Sequence, residues 1–164
     1  MTEGHFPSLL SSFTPLIQNA LELALALASQ CPSSHGKAYN VGCVIVDETD
    51  GLVLSTGYSR EADAVHAEEI ALAKLLNNTN HHHHRLVLVT TMEPCSLRLS
   101  GQEPCINRIL QSPLSFSKII VGCREPKKFN PNCVGLDMLR QGPISVIDLS
   151  DSDYGQKCLE LALL

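Results

Sequence analysis

Positive charge is scarce in this sequence of 164 residues. It contains 12 lysine and arginine residues against 17 aspartate and glutamate residues, which gives a formal net charge of −5 at pH 7. Proteins that read nucleic acids usually carry a basic face, because neutralising phosphates supplies much of their affinity. The composition therefore disfavours a polynucleotide partner, although a local basic patch would still be compatible with one.

Long hydrophobic runs and a secretory leader are also missing. The most apolar run, residues 16–28, is interrupted by three polar residues and is shorter than the ~20 residues that a membrane span needs. The first residues lack the charged start, apolar stretch and small-residue cleavage site of a signal peptide. We therefore expect a cytoplasmic protein without a membrane segment, with a nuclear location as the alternative.

The cysteines do not indicate a disulfide framework. There are seven of them, an odd number, scattered through strand-like and loop-like stretches. Secreted disulfide scaffolds are usually short chains with an even set. A chain of this length can bury about 70% of the surface that it exposes when unfolded, so it needs no covalent staples. We expect one globular domain with reduced, mostly buried thiols.

Helix and strand patterns alternate along the chain. Helices are predicted from capping residues and apolar periodicity over residues 15 to about 30, 64–76, 103–111 and 134–140, with a terminal helix or tail over 153–164. Strands are predicted over residues 41–48, 52–58, 86–91, 118–123 and 144–149. The first two strands form a hairpin, and the later alternation implies parallel right-handed crossovers. The predicted fold class is α/β, a three-layer α/β/α sandwich with a mixed five-stranded sheet.

Two segments fall outside this pattern. Residues 1–13 are predicted to be a flexible N-terminus, and residues 14–164 a single domain with a C-terminal tail. Four consecutive histidines, His81 to His84, follow the second predicted helix. Such a tract can bind metal, but an exposed loop tip is the favoured interpretation.

Three potential metal ligands stand at the ends of predicted elements. His66 opens the second helix, Cys95 follows the third strand and Cys105 opens the third helix. Sites in open α/β sheets lie outside the carboxyl ends of strands, and helix N-termini favour thiolates. One imidazole and two thiolates suit Zn²⁺, and three protein ligands leave open the fourth position that catalytic zinc requires. The sequence predicts one catalytic zinc per chain.

Glu68 is the candidate for proton transfer. In a helix interior, two residues of separation would put His66 and Glu68 about 200° apart. They can serve one site only if His66 lies where the chain enters the helix. The order H-A-E, then P-C and a second cysteine is that of zinc deaminases. Core packing, or a closed zinc site completed by His35, Cys123 or Cys133, remains the alternative.

These motifs resemble the cytidine deaminase superfamily. Nine residues separate the two cysteines, where many members have two, and an insertion containing glycine and proline resembles the pyrimidine deaminases of riboflavin biosynthesis. Residues 57–69 (GYSREADAVHAEE), 90–109 (TTMEPCSLRLSGQEPCINRI) and 121–132 (VGCREPKKFNPN) are similar to the fungal branch. Bacterial bifunctional relatives carry a different insert and a reductase domain, for which we expect no room here.

The resemblance, which spans residues 14–150, implies an enzyme with a cytidine deaminase-like fold. The implied reaction is zinc-dependent hydrolytic deamination of 2,5-diamino-6-ribitylamino-4(3H)-pyrimidinone 5′-phosphate. Its products are 5-amino-6-ribitylamino-pyrimidinedione 5′-phosphate and ammonia. The resemblance implies that Glu68 acts as base and then acid, and that the protein is a homodimer.

The substrate would also need contacts for its sugar and its phosphate. The resemblance puts Asn40 at a position that touches the sugar, although capping the first strand explains this residue equally well. Phe129 could stack on the pyrimidine or pack the edge of the core. A phosphate requires cations or N–H donors, and the alternative for each cation is a solvated surface charge. The candidates are Arg60, Arg98, Ser100, Gly101, Lys127 and Lys128.

Two other functions stay open. A tRNA adenosine deaminase subunit would share the zinc chemistry but would need a basic face for its stem-loop. A non-catalytic module would keep the zinc structurally. The acidic balance and the long insertion between the cysteines disfavour the first. The complete set of three zinc ligands and Glu68 disfavours the second.

Overall fold

Helices and strands alternate through residues 9–78 and 85–164, the part of the chain that the structure, a computed structural model, describes. The helices there are α1 (Pro15–Ser29), α2 (Ala67–Leu76), α3 (Cys105–Leu110), α4 (Gly135–Arg140) and α5 (Asp153–Ala162). The strands are β1 (Gly42–Asp47), β2 (Val53–Tyr58), β3 (Leu86–Met92), β4 (Phe116–Cys123) and β5 (Ser145–Asp148). This order confirms the predicted α/β class, and the C-terminal segment is a helix rather than a tail.

The strands form one mixed sheet in the order β2-β1-β3-β4-β5. Strand β1 is antiparallel to β2 and β3, whereas β3, β4 and β5 run parallel. Cys43 of β1 lies opposite both Gly57 of β2 and Thr90 of β3. As a result, the carboxyl ends of β2, β3, β4 and β5 meet at one edge of the sheet, together with the start of β1. The predicted hairpin and parallel crossovers are both present.

Helices cover both faces of the sheet. Helices α1 and α5 pack together on one face, and α2, α3 and α4 follow one another on the other. The Tyr154 hydroxyl of α5 donates to the Leu21 carbonyl of α1 at 2.7 Å. Because both faces are covered, β1 and β3 are buried at every position, as expected of strands between two helical layers. None of the described helices is long and apolar enough to span a membrane.

Close approach at glycine fixes α2 on the sheet. A Cβ at Gly57 would lie against the Ala67 carbonyl oxygen and the Ile70 side chain, and 2.9 Å from the Ala71 backbone nitrogen. The first turn of α2 therefore rests directly on the end of β2 at this glycine. This contact places the start of α2 at the edge of the sheet where the strands end.

The start of α2 differs from its prediction. Ala64 was predicted to open the helix, but it has a φ of +55°, which is left-handed and incompatible with an α-helix. His66 is extended and forms the N-cap, so the helix begins at Ala67. The other predicted bounds differ from the structure by at most two residues. The two-residue shifts are at β4, which begins at Phe116, at α3, which begins at Cys105 after the extended Pro104, and at α5, which ends at Ala162.

The two terminal and loop predictions lie partly outside the described residues. Residues 9–12 form a short 3-10 helix before α1, and residues 1–8 are not described. The flexible N-terminus therefore stays a prediction. The His81 to His84 segment also lies outside the described residues, and so its loop interpretation stays a prediction.

Candidate active site

A cavity of about 380 Å³ opens at the edge of the sheet where the strands end. Its walls come from some of the residues in four segments: 37–41 before β1, 59–68 after β2, 92–102 at and beyond the end of β3, and 125–130 after β4. Small-molecule sites typically measure about 300–1,000 Å³, and open α/β sheets bind ligands at this edge. The cavity has the place and the size of a small-molecule site.

The three predicted metal ligands converge in this region. Nδ1 of His66 lies 3.5 Å from Sγ of Cys95 and 3.5 Å from Sγ of Cys105. Zinc binds nitrogen at about 2.0–2.1 Å and sulfur at about 2.3 Å, so tetrahedral geometry separates N and S ligands by roughly 3.5 Å. Both the donor types and their spacing therefore fit Zn²⁺.

A fourth protein ligand does not join the cluster within residues 9–78 and 85–164. His35 is exposed in the loop before β1. The Cys123 thiol donates to the Thr91 carbonyl at 3.2 Å, and the Cys133 thiol lies 3.8 Å from the Pro94 carbonyl. The three residues considered for a closed site are thus placed elsewhere, and the described cluster has the open form of a catalytic zinc site.

The backbone around His66 brings it and Glu68 to one site. His66 precedes the helix with a ψ of 158°, so the 200° separation of a helix interior does not apply. The Glu69 carboxylate accepts a hydrogen bond from the His66 backbone N–H at 3.4 Å, which is half of a capping box. His66 and Glu68 both line the cavity.

Backbone N–H groups at the start of α3 link the two cysteines. Cys105 is the first residue of α3, and its N–H donates to Cys95 Sγ at 3.3 Å. The Ile106 N–H donates to the Cys95 carbonyl at 3.1 Å. The loop between the two cysteines therefore returns to its own start, which holds both sulfur atoms beside His66.

The electrostatics of the cluster favour a thiolate at Cys95. Hydrogen bonds from Cys105 and His66 lower the pKa of Cys95 to about 4, against the opposing effect of burial. The same contact with Cys95, together with burial, raises the pKa of Cys105. The hydrogen bond with Cys95 raises the pKa of His66. A pair of thiols that shares a negative charge is suited to a cation, which would displace the remaining proton.

Glu68 is a buried carboxyl at the floor of the cavity. It is 4% exposed, and the Thr90 hydroxyl of β3 donates to its Oε1 at 2.8 Å. Burial raises its pKa, because removal from water disfavours the charged form. A raised pKa makes the carboxylate a stronger base and brings it closer to the operating pH, which suits a group that takes up a proton and then returns it.

Asn40 and Arg60 have structural partners. The Asn40 amide donates to the Leu161 carbonyl at 3.1 Å, and its oxygen accepts from Arg60. Arg60 also donates to the carbonyls of Pro32 and Tyr39 at 2.7–3.0 Å. Asn40 does not line the cavity, and Arg60 lines it with its donors directed to the loop before β1. Both residues shape the start of β1.

Arg98 lines the cavity, but its guanidinium is committed to protein groups. It donates to the Glu69 carboxylate at 2.8 Å and to the Ala64 carbonyl at 3.0 Å. Ser100 also lines the cavity. Gly101, with a φ of +78°, does not line it, and its N–H donates to the Arg98 carbonyl at 3.0 Å. Of the three predicted phosphate contacts in this insertion, Ser100 is therefore the one that lines the cavity without an ion pair to a described residue. Its hydroxyl accepts a hydrogen bond from the Gln102 N–H at 3.4 Å.

The predicted lysines lie at the surface. Lys127 and Lys128 are exposed and do not line the cavity. The Lys128 ammonium lies 5.0 Å from the centre of the Phe129 ring, a cation–π contact. Phe129 does line the cavity, and its ring meets that of Tyr39 edge to face with centroids 4.7 Å apart. The Tyr39 hydroxyl donates to the Pro126 carbonyl at 2.8 Å, which joins two walls.

Several cavity residues were not predicted from the sequence. Lys37 is an exposed lysine on the wall before β1, and no sequence signal distinguishes it. Glu93 accepts hydrogen bonds from the backbone N–H groups of Glu125 and Leu136 at 3.0 and 2.9 Å, so it fixes the loop after β4. Its place in the sequence MEPC, two residues before Cys95, was the signal available.

Glu125 and Asn130 line the cavity, and each has a side-chain atom without a hydrogen-bond partner. Glu125 is half-buried and Asn130 is buried. Oε2 of Glu125 and Nδ2 of Asn130 are buried without a hydrogen-bond partner. Burial raises the pKa of Glu125 to about 7. Buried polar atoms without partners are costly, so this acceptor and this donor are suited to a ligand. The segment CREPKKFNPN contained both residues, but nothing in its letters indicated which would face the cavity.

Comparison with known proteins decides the family. A model of the cytidine and deoxycytidylate deaminase zinc-binding region matches residues 15–123, more than half of the chain. The chain belongs to this deaminase family. Zinc is its cofactor, and His66, Cys95 and Cys105 form the site that fits it.

Relatives of this deaminase include a fungal enzyme and solved fungal structures. The chain is 39% identical over 127 residues to the diaminohydroxyphosphoribosylamino-pyrimidine deaminase of Schizosaccharomyces pombe, a match that covers 76% of this chain and 30% of that protein. The crystal structure of Aspergillus oryzae Rib2 deaminase, a C-terminal deletion mutant, is 27% identical with a TM-score of 0.71, covering 91% of each chain. The same deaminase in complex with DARIPP is 25% identical with a TM-score of 0.66, covering 92% of this chain and 98% of that one.

Proposed function

We propose that this chain catalyses the hydrolytic deamination of 2,5-diamino-6-ribitylamino-4(3H)-pyrimidinone 5′-phosphate in riboflavin biosynthesis. The observation that carries the proposal is the buried carboxyl of Glu68 beside a three-ligand zinc site, at the floor of a small-molecule cavity. The names of the relatives support the substrate: one is a diaminohydroxyphosphoribosylamino-pyrimidine deaminase, and a Rib2 deaminase binds DARIPP.

The proposed chemistry divides between the zinc site and Glu68. Zinc held by His66, Cys95 and Cys105 supplies a nucleophile at neutral pH, because zinc lowers the pKa of water from 15.7 to about 7. Glu68 accepts the proton that water loses on attacking the ring carbon that bears the amine. The same carboxyl passes that proton to the adjacent ring nitrogen. It then takes the second proton from the oxygen newly bonded to the ring carbon and delivers it to the departing ammonia as the C–N bond breaks. The Thr90 hydroxyl holds Glu68 in place for both transfers.

The cavity walls suit an aminopyrimidine. Phe129 and Tyr39 provide an aromatic surface on which a flat ring can stack. Oε2 of Glu125 and Nδ2 of Asn130 offer an acceptor and a donor without a hydrogen-bond partner, and an aminopyrimidinone carries the matching N–H and carbonyl groups. In this proposal the zinc site faces the reacting carbon, and these four residues orient the ring.

Lys37 and Ser100 are the proposed phosphate contacts. Lys37, Arg60 and Arg98 are the cations that line the described cavity, and both arginines are bonded to protein groups. The Lys37 ammonium is thus the lining cation left for a phosphate, which binds best to charged donors. Lys127 and Lys128 are proposed to add positive potential from the loop after β4.

Ammonia release tests the function. The zinc-loaded protein should release ammonia from the ribitylamino-pyrimidinone phosphate, faster than from its unreduced ribosyl precursor or from cytidine. Glu68→Gln should keep one zinc per chain and lose about 10²- to 10⁴-fold in kcat, the usual contribution of a general acid–base group. Near-normal turnover by Glu68→Gln would contradict the mechanism. Release of ammonia from a tRNA stem-loop instead would favour the tRNA adenosine deaminase alternative.

The proposal also includes the oligomeric state of the protein, the bounds of its domain and its location in the cell. We propose a cytoplasmic homodimer whose deaminase domain spans residues 14–164, with residues 1–13 flexible. Sedimentation equilibrium tests the dimer. Limited proteolysis tests the domain bounds, since cleavage should be confined to the first residues and to the loop predicted at His81 to His84. A monomer at all concentrations, or rapid cleavage elsewhere within 14–164, would contradict these two parts.

A further inference from the structure

We propose that Arg98 is a positioning residue of the zinc site. Together with Glu69 and Arg108 it forms a clamp, the Arg98–Glu69–Arg108 cluster, that locks together the three segments carrying the zinc ligands. The inference rests on the zinc site of the proposed function but not on the identity of the substrate. It replaces the sequence-based expectation that Arg98 contacts the phosphate.

Each member of the clamp belongs to a different ligand-bearing segment. Glu69 lies in α2, three residues after His66. Arg98 lies in the insertion between the two cysteines, and Arg108 lies in α3, three residues after Cys105. The clamp therefore touches the His66 segment, the loop that begins at Cys95 and the helix that begins at Cys105.

The contacts run from both arginines to one carboxylate. Arg98 Nη1 lies 2.8 Å from Glu69 Oε2, and Arg108 Nη2 lies 3.1 Å from Glu69 Oε1. The second terminal nitrogen of Arg98 donates to the Ala64 carbonyl at 3.0 Å. One guanidinium thus bridges α2 and the loop before it, a geometry that the planar fork of arginine permits and a lysine ammonium does not reproduce.

Burial gives this cluster its energetic importance. The Arg98 side chain is 5% exposed and that of Glu69 17% exposed. Buried charges require partners, and breaking one buried pair leaves the other charge uncompensated. The surface ion pair Lys74–Glu61, at the far end of α2, has 45% and 19% exposure, and such pairs contribute little. The two ion pairs that side chains of α2 make with neighbouring segments therefore differ in their expected effects.

The clamp contacts the backbone at and just before His66, which determines the orientation of the imidazole. Oε2 of Glu69 accepts from the His66 N–H, and Arg98 holds the carbonyl of Ala64, two residues before His66. Ala64 has a φ of +55°, a conformation that persists in a non-glycine residue only when its surroundings enforce it. Residues behind metal ligands fix ligand orientation in this way, and their loss typically reduces metal affinity by about 10- to 100-fold.

The rate of zinc release tests the effect of the clamp on the zinc site, and this measurement needs no substrate. Zinc-loaded wild type, Arg98→Lys, Arg98→Gln and Glu69→Gln would be mixed with an excess of a chromogenic chelator under conditions where circular dichroism shows each to be folded. We expect all three variants to release zinc about 10- to 100-fold faster than wild type. The control variant, Lys74→Gln, removes an exposed ion pair from the same helix and should release zinc at the wild-type rate.

Two further readouts separate positioning from other roles. Cobalt-substituted Arg98→Gln should show an altered visible spectrum, because the ligand geometry changes while the ligands remain. The double variant Arg98→Gln/Glu69→Gln should release zinc no faster than the worse single variant, since both changes break one cluster. If Arg98→Gln fails to fold, Arg98→Lys and Arg108→Gln, which alters the most exposed member, carry the test.

One result would overturn the inference. If the Arg98 variants released zinc at the wild-type rate and only raised KM for the phosphorylated substrate, Arg98 would be a substrate contact. Arg98→Lys would then restore much of the binding, because a lysine can still pair with a phosphate. A protein that fails to deaminate the proposed pyrimidine would refute the proposed function, yet the zinc-release comparison would keep its meaning.

Discussion

At the scale of single residues, the site depends on where each side chain finds its partners. His66, Glu68, Cys95 and Cys105 were predicted because their types and order carry the chemistry, and they converge in the structure. The loop cations could not be assigned in the same way. Whether a guanidinium faces a ligand or a carbonyl depends on the tertiary contacts of the loop, as the bonds of Arg98 to Ala64 and Glu69 demonstrate.

Glu125 gives a prediction about stability and pH. Burial raises its pKa in the folded protein to about 7 from an ordinary value of 4.5. The folded state therefore binds this proton more tightly than the unfolded state. The stabilisation is fully present below pH 4.5 and is lost as the pH rises towards 7. Glu125→Gln should flatten this part of the profile of unfolding free energy against pH, measured by urea denaturation.

The control for this prediction is a glutamate without such burial. Glu103 is exposed at the end of the insertion, and Glu103→Gln should leave the profile parallel to that of the wild type. If Glu125→Gln and wild type gave parallel profiles through this range, the proton on Glu125 would not be linked to folding.

Lys37 gives a prediction about the phosphate. If its ammonium pairs with the phosphate, Lys37→Gln should raise KM for the phosphorylated substrate by roughly tenfold, which corresponds to about 1.4 kcal/mol. KM for the dephosphorylated ribitylamino-pyrimidinone should not change. Steady-state ammonia release with both substrates measures the difference, and Lys157→Gln, an exposed lysine of α5, is the matched control. Equal effects on both substrates would exclude a phosphate contact.

At the scale of elements, the start of α2 is the part that the sequence predicted least well. Apolar periodicity identified the helix but set its start at Ala64 instead of Ala67. The actual start is set by the left-handed Ala64 and by the capping contact of Glu69. The capping residue is a histidine, which is not among the usual N-cap residues. The position of the helix on β2 depends on a glycine contact that only the tertiary structure reveals.

Substitution of Gly57 tests the close packing of α2 on β2. A Cβ in Gly57→Ala would collide with the backbone of Ala67 and the side chain of Ile70, so α2 would have to move away from β2. We expect a loss of about 1–3 kcal/mol in unfolding free energy, as is usual for overpacking, together with faster zinc release. Gly142→Ala is the control, because its Cβ would lie 3.5 Å from the nearest atom, the Leu139 carbonyl oxygen. Equal stability of the two variants, measured by denaturant unfolding, would contradict the close packing described for α2.

At the scale of the whole molecule, the order of elements was sufficient to predict the architecture. A hairpin followed by alternating strands and helices has few arrangements that keep parallel crossovers right-handed. The observed five-stranded sheet contains the predicted hairpin and the predicted parallel strands. The same topology gathers the carboxyl ends of four strands at one edge. Residues that are far apart in sequence, such as His66 and Cys105, can therefore form one site.

The fold also explains where the seven cysteines lie and why they need not form disulfides. The described residues contain no disulfide, and all seven thiols are free. Cys95 and Cys105 belong to the zinc cluster, whereas Cys43 and Cys158 are buried away from it. Reduced cysteines in a core of this size are consistent with a chain that obtains its stability from two helical layers packed on a central sheet.

Zinc K-edge X-ray absorption on the zinc-loaded protein measures the ligands of the zinc site. We expect a first shell with one imidazole nitrogen and two sulfur atoms from the protein, and no further protein sulfur or imidazole. Glu68→Gln should give the same shell. A third sulfur, a second imidazole, or a protein that binds no zinc would refute an open zinc site formed by His66, Cys95 and Cys105.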